Sequence, residues 1–288
     1  MTHDELIAEL ERAGEYRVLR RLPSPASDPA TAEEGAPGIV IDVETTGLDP
    51  AADEIVELAM LPFRYRADGT ICHVGAPYRS LRQPSRPIPP EMTAIHGLTD
   101  EMVAGHQIDP EEVGALIADA APIIAHHADF DRRFCERLIP EFCDRPWACS
   151  WAQIDWRSEG FDSASLGYLA FANGFFYDGH HAETDCAALL ELLGRPLPVS
   201  GVSVLARLLE TGRKPTYRIY AENSPFELKD TLKRRGYSWN PDQKVWYIDA
   251  TDPEAEIDWV GKNIYRRVVQ LPTRKITAFT RFSDRIER

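Results

Sequence analysis

Two acidic residues separated by one position lie at the end of the clearest strand in this chain. Residues 38–44 are typical of a strand, which directs alternate side chains to opposite faces, so Asp42 and Glu44 share one face and Ile41 and Val43 the other. Two carboxylates on one face can converge on a single cation. The segment Thr45-Thr46-Gly47 then ends the strand with small side chains and a permissive backbone, so a substrate can approach closely. A polar edge strand facing solvent would show the same pair.

A second acidic segment follows another predicted strand. Residues 121–125 are typical of a buried strand, and the chain then passes into a helix with apolar residues at intervals of four. Asp131 lies in the first turn of that helix, where the helix dipole favours a carboxylate. Asp129 is the alternative, although it is typical of an ordinary N-cap.

A third segment places a histidine close to an aspartate. Asp185 begins a helix rich in alanine and leucine, and His180 precedes it by five residues. A histidine and an aspartate at a helix start are often only a capping arrangement. The neighbouring His181 is a second candidate.

In combination, the motifs DxET, FD and HxAxxD resemble those of the DnaQ-like 3′–5′ exonucleases of the DEDDh type over residues 38–195. The resemblance implies four metal ligands and a general base, which are Asp42, Glu44, Asp131, Asp185 and His180. The spacing to Asp185 selects His180 over His181. His127 is a departure, since many relatives have asparagine at that position.

The resemblance also implies how the site works. Two divalent cations are expected, Mg²⁺ with Mn²⁺ as a substitute, because ligands that are all oxygen suit both. The implied substrate contacts are Thr45, Thr46, Gly47, Leu48 and His96. The expected reaction releases nucleoside 5′-monophosphates from single-stranded or frayed DNA 3′ ends, in DNA repair or proofreading.

Two alternatives stay open. An exoribonuclease that trims RNA would need the same ligands, because discrimination depends on how closely the site approaches the 2′-OH. A non-catalytic nucleic-acid-binding module is the other alternative, and the presence of all five motif residues argues against it.

The order of predicted elements suits a ribonuclease-H-like α/β fold, a mixed five-stranded sheet with helices on both faces. A small C-terminal α+β module follows it. The predicted units are an N-terminal helix (1–22), a Pro/Ala-rich linker (23–37), the exonuclease domain (38–198), a connecting helix (199–214), the α+β module (215–270) and a tail (271–288).

Charge is distributed unevenly along the chain. Its net charge is −14, but residues 213–288 contain 16 Lys and Arg against 11 Asp and Glu, a net charge of +5. The predicted contacts of this module with nucleic acid are Lys229, Lys233, Arg234 and Arg235, beside aromatic residues that could stack on bases. A replication or repair protein is the alternative partner. A chain ending near Gly212 is expected to keep turnover of short oligonucleotides, since every predicted ligand precedes that residue.

Composition favours an intracellular enzyme. The five cysteines show no CxxC pairing and no metal-ligand spacing, which indicates free thiols in a reducing compartment. The N-terminus has no secretory signal, and no segment approaches a membrane span. We therefore expect a cytoplasmic location and no membrane partner.

Overall fold

The computed structural model describes residues 2–23 and 34–287. Most of the predicted Pro/Ala-rich linker, residues 24–33, therefore lies outside the described residues. Within the described part of the chain, no helix combines the length and apolar character that crossing a membrane requires.

The N-terminal helix is shorter than the sequence predicted. Helix α1 spans His3–Arg12 and begins with a capping box between Thr2 and Glu5. It ends there because Gly14 adopts a left-handed φ of 72°, which a continuing helix does not allow. Strand β1 then covers Arg20–Arg21.

A mixed sheet forms the centre of the molecule. Its strands are β2 (Ala36–Thr45), β3 (Ile55–Tyr65), β4 (Ile71–Val74), β5 (Tyr78–Leu81), β6 (Ile123–Ala125) and β7 (Trp147–Cys149). Strands β4 and β5 both pair with the same edge of β3. From β3 the strand order across the sheet continues with β2, β6 and β7. Strand β2 is antiparallel to β3 and parallel to β6, which is parallel to β7. The six strands thus fill five positions, and the predicted mixed sheet is confirmed.

Helices cover both faces of this sheet, as predicted. They are α2 (Pro90–His96), α3 (Asp100–Val103), α4 (Pro110–Ile117), α5 (Ala128–Leu138), α6 (Leu166–Ala172), α7 (Ala182–Gly194) and α8 (Val204–Arg213), with the short strand β8 (Phe175–Phe176) paired to β1. Val40 packs in the core with α6, α7 and α8, whereas Ile39 and Ile41 pack with α4 and α5. The alternating side chains of β2 therefore supply two separate cores.

The C-terminal unit is a small antiparallel sheet with two helices. It contains β9 (Thr216–Ala221), β10 (Ser238–Asn240), β11 (Val245–Ala250), β12 (Thr273–Ile276), α9 (Lys229–Arg235) and α10 (Pro253–Val260). The strand order is β10-β11-β9-β12. Its core contains Leu232, Tyr237 and Val260. Strand β12 lies in the residues that the sequence assigned to a tail.

The residues after β12 form a strap, residues 277–286, that lies against the predicted domain of residues 38–198. The Ala278 carbonyl accepts a hydrogen bond at 2.9 Å from the backbone N–H of Trp147, at the edge of the central sheet. The Arg281 guanidinium donates to the carbonyls of Gly212, at 3.1 Å, and Lys214, at 2.7 Å. A chain ending near Gly212 would lack this strap, so the expectation that it keeps an intact catalytic unit no longer follows.

Candidate active site

The carboxyl end of β2 forms one wall of the candidate site. Asp42 and Glu44 lie on the face of β2 that α7 covers, and a register shift between Glu44 and Thr45 ends the regular pairing with β3. Gly47 follows in a turn against Asp53, where an added Cβ would lie 2.4 Å from a carboxylate oxygen. Without a side chain at Gly47, the loop packs closely against Asp53 beside the strand end.

The start of α7 forms the opposite wall. Asp185 accepts hydrogen bonds at 3.0 Å from the Tyr177 hydroxyl and from the His181 backbone N–H. The helix begins at Ala182, three residues earlier than the sequence predicted, so Asp185 lies in its first turn. These two bonds hold the carboxylate toward β2.

The two walls bring three carboxyl groups together. Asp42, Glu44 and Asp185 each offer an oxygen, and these oxygens all lie within 4.8 Å of one another. Burial and the neighbouring carboxylates Asp131 and Asp185 hold the pKa of Asp42 well above its ordinary value. Burial and the charge of Asp185 raise the pKa of Glu44 to about 8. Such crowding is stable only when protons or cations compensate the negative charge.

Asp131 completes the acidic cluster from α5. Its side chain is 3% exposed, and burial raises its pKa to about 7, although backbone hydrogen bonds lower it. Its charge in turn raises the pKa of Asp42. The rival residue Asp129 is exposed. The structure therefore places Asp131 toward the cluster and Asp129 toward solvent.

The paired histidines precede α7 in different conformations. His180 is exposed and adopts a left-handed φ of 63°, which is uncommon for a residue with a side chain. Burial raises the pKa of the nearby Asp185, and the hydrogen bonds from Tyr177 and His181 lower it. His181 is the N-cap, and it contacts Asp185 through its backbone. The role of His180 as general base stays a prediction.

The residues expected to contact substrate divide into two groups. Leu48 is 78% exposed beside the strand end. By contrast, Thr45 and Thr46 are buried, and Thr45 donates its hydroxyl hydrogen bond to the Gly47 carbonyl at 2.6 Å. His96 is 1% exposed, and its Nδ1 accepts from the Leu98 N–H at 3.1 Å. The buried side chains therefore shape the loops, and direct contact is a prediction for Leu48.

One buried carboxylate in this region was missed by the sequence reasoning. Glu57 is fully buried on β3 directly opposite Glu44. It forms an ion pair with Arg79 and accepts a hydrogen bond at 3.2 Å from the Ala182 N–H at the start of α7. A glutamate inside the apolar run IVELAML was the available signal. Glu57 ties α7 to the strand that pairs with β2.

The four cations predicted to contact nucleic acid differ in their surroundings. Arg235 forms an ion pair at 2.8 Å with Glu256, a residue that is itself buried. Lys233 lies 5.9 Å from the centre of the Trp246 ring, and Lys229 lies 4.1 Å from that of Phe226. Arg234 is exposed. Arg235 thus has a structural partner, and Lys233 and Arg234 are better placed to contact a ligand.

Comparison with known proteins identifies the fold and family. The exonuclease family model matches residues 39–193. Exodeoxyribonuclease 10 of Escherichia coli K12 is 34% identical over 111 residues, which cover 38% of this chain and 44% of that protein. A PolC-type DNA polymerase III of Thermotoga petrophila is 34% identical over 46% of this chain and 9% of its own length. This chain thus spans only a small part of the PolC-type relatives.

A solved structure agrees with the fold. The zinc-bound complex of E. coli exonuclease I with single-stranded DNA matches 85% of this chain and 63% of that chain, with a TM-score of 0.50 and 18% identity. The ribonuclease-H-like fold and the DnaQ-like resemblance predicted from the motifs are therefore confirmed. Because the family model covers more than half of the chain, the protein belongs to the exonuclease family.

Proposed function

We propose that this chain is a metal-dependent 3′–5′ exonuclease that releases nucleoside 5′-monophosphates from DNA 3′ ends. The convergence of Asp42, Glu44 and Asp185, with oxygens within 4.8 Å of one another, carries this proposal. Their raised pKa values are what ligands of a divalent cation show when burial and mutual repulsion act on them without compensation.

The donor set fits two divalent cations. Asp42, Glu44, Asp131 and Asp185 provide only oxygen ligands, which suit Mg²⁺, with Mn²⁺ as a substitute. Bound there, the two cations would activate the attacking water and stabilise the charge that develops on the leaving 3′-oxygen.

The protein's own groups would complete the reaction. The His180 imidazole, exposed at the mouth of the site, would accept a proton from the attacking water. Leu48 would contact the terminal nucleoside, since it is a large exposed apolar side chain in the loop after β2. The buried His96 would position that region by holding the turn at Leu98.

DNA is the substrate that the comparisons support best, because a relative at 34% identity is an exodeoxyribonuclease by name. We infer that the chain acts on single-stranded or frayed 3′ ends in repair or proofreading. The C-terminal unit would contact the strand further from its end or a replication protein. An RNA substrate is the competing proposal.

The decisive experiment compares initial rates on matched DNA and RNA oligonucleotides labelled at the 5′ end. Shortening from the 3′ end with Mg²⁺, abolished by a chelator and in Asp185→Asn, would support the proposal. Faster turnover of RNA would replace the DNA assignment. Equal activity in a chelator would refute the metal site.

A further inference from the structure

Two exposed rings stand together at the start of α5. The rings of His127 and Trp151 lie 5.6 Å apart between centroids and are nearly perpendicular, at 83°. Trp151 is 42% exposed, so part of its indole is accessible to a ligand. Neither residue belongs to the acidic cluster.

Trp151 contacts His126 through both its backbone and its ring. Its backbone N–H donates to the His126 carbonyl at 3.0 Å, and the His126 ring lies 5.6 Å from the indole at an angle of 71°. His126 is itself fixed, because its ring nitrogens lie 2.8 Å from the Ser150 hydroxyl and the Ala164 carbonyl. Burial lowers the pKa of His126 to about 4, so this imidazole is neutral near pH 7. A prearranged ring loses little conformational entropy when a ligand binds.

The pair is close to the acidic cluster. His127 is the N-cap of α5, and its carbonyl accepts from the Asp131 N–H at 3.3 Å. Asp131 is thus one helical turn away, which is about 6 Å along the helix axis. Ala152 and Gln153, directly after Trp151, line a groove of about 760 Å³ that continues to Trp239 on β10.

Charge at this position does not favour phosphate binding. Residues 1–212 contain 16 Lys and Arg against 35 Asp and Glu, a net charge of −19. In the groove, Arg133 pairs with Asp284 at 2.6 Å, and Arg218 pairs with Asp249 at 2.8 Å. A polyanionic strand would therefore gain more from contacts to its bases, and an aromatic face supplies such contacts whatever the base.

Resting on the proposed function, we propose that Trp151, supported by His127, stacks on a base of the substrate strand upstream of its 3′-terminal nucleotide. The occupant is a nucleobase of a single strand. The contact sets affinity for strands longer than one nucleotide, and the chemistry remains with the acidic cluster.

The test compares two substrates in one set of variants. Trp151→Ala should raise KM for a single-stranded oligonucleotide by about 5- to 100-fold, the effect of removing one base–aromatic stack. The ratio of its kcat/KM on the oligonucleotide to that on the p-nitrophenyl ester of thymidine 5′-monophosphate should fall, because the ester has no upstream base. Trp151→Phe should restore most of the loss. Phe171→Ala is the matched control. The Phe171 side chain is partly exposed, but the Arg17 guanidinium lies over its ring, 4.7 Å from the ring centre.

Abasic nucleotides locate the stacked base. At one upstream position, removing the base should raise KM for the wild type and leave KM of Trp151→Ala unchanged. The dependence of affinity on salt should be the same in both proteins, because every phosphate keeps its neighbours in the variant. The proposal would be overturned if Trp151→Ala lowered kcat/KM by the same factor on the ester and on the oligonucleotide. It would also be overturned if, at every abasic position, Trp151→Ala still had a higher KM than the wild type. Failure of the proposed function would look different, since wild-type protein would then turn over neither substrate.

Discussion

Two adjacent residues of α5, Asp131 and Arg132, are buried ionisable groups with opposite kinds of neighbours. Asp131 is 3% exposed among other carboxylates, and its pKa rises to about 7. Arg132 is fully buried, but its guanidinium donates to Glu136 and to three strap carbonyls at 2.7 to 3.0 Å. The charge of Arg132 is balanced within the protein, whereas Asp131 faces neighbouring carboxylates.

This difference separates a buried charge with opposite partners from one among like charges. A buried charge that serves the fold is surrounded by partners, as Arg132 is. The carboxylates of the cluster lie buried among like charges, and burial with this mutual repulsion raises their pKa values. Burial alone does not distinguish the two cases, whereas the partners do.

The largest effect is expected from neutralising the unbalanced cluster. Asp42→Asn or Asp185→Asn should abolish a metal site that supplies several kcal/mol of transition-state stabilisation, which corresponds to a loss of roughly 10³-fold or more in rate. Circular dichroism should show an unchanged fold. Wild-type initial rates in either variant would contradict the assignment.

The paired histidines offer the next largest effect. His180→Ala should lower kcat by about 10²- to 10⁴-fold if its imidazole accepts the proton of the attacking water. His181→Ala should cost far less, because His181 contacts Asp185 through its backbone N–H, which alanine retains. Single-turnover rates measure both variants. Equal losses would show that the base is assigned incorrectly.

The balanced charge should affect stability. Arg132→Met would leave Glu136 and the strap carbonyls without their buried partner, and we expect about 3–5 kcal/mol less free energy of unfolding in urea. Arg133→Met is the control, because its ion pair with Asp284 is partly exposed and should contribute about 1 kcal/mol or less. Similar urea unfolding midpoints for Arg132→Met and Arg133→Met would contradict the assignment of Arg132 as a structural charge.

The cluster should also link stability to pH and metal. The pKa values of Asp131 and Glu44 are raised in the folded state, to about 7 and about 8, so these groups stabilise the fold while protonated. Without metal, stability should fall as pH rises from about 4.5 to about 8. Bound Mg²⁺ would replace the protons, so the increase in Tm on adding Mg²⁺ should be larger at the upper end of this range. Asp185→Asn should remove most of that increase, and an increase that does not depend on pH would contradict the linkage.

The smallest effect concerns the C-terminal cations. Lys233→Glu with Arg234→Glu should weaken binding of long single strands and reduce the salt slope by roughly 0.7 for each phosphate that the unit no longer neutralises. Arg235→Glu should instead lower the Tm, because Glu256 would lose its partner. Unchanged affinity and slope in the double variant would favour a protein partner for this unit.

Local sequence was sufficient for much of the fold and for the choice of candidate residues. The alternation along β2 predicted that Asp42 and Glu44 share one face, because side chains in a strand alternate whatever the rest of the fold does. The mixed sheet and the family followed from motifs and the order of elements, and both are confirmed. The roles of the individual site residues stay predictions.

Contacts between distant segments could only be found in the tertiary structure. Glu57 meets the start of α7 across 125 residues, and Arg132 meets the strap across about 146 to 149 residues. Trp151 lies beside His127 because β6 and β7 are parallel neighbours. Sequence patterns describe the period and ends of single elements, whereas the partners of a buried charge depend on which elements meet. The sequence thus determined which residues are candidate metal ligands, and the tertiary structure decided which charges are balanced within the protein.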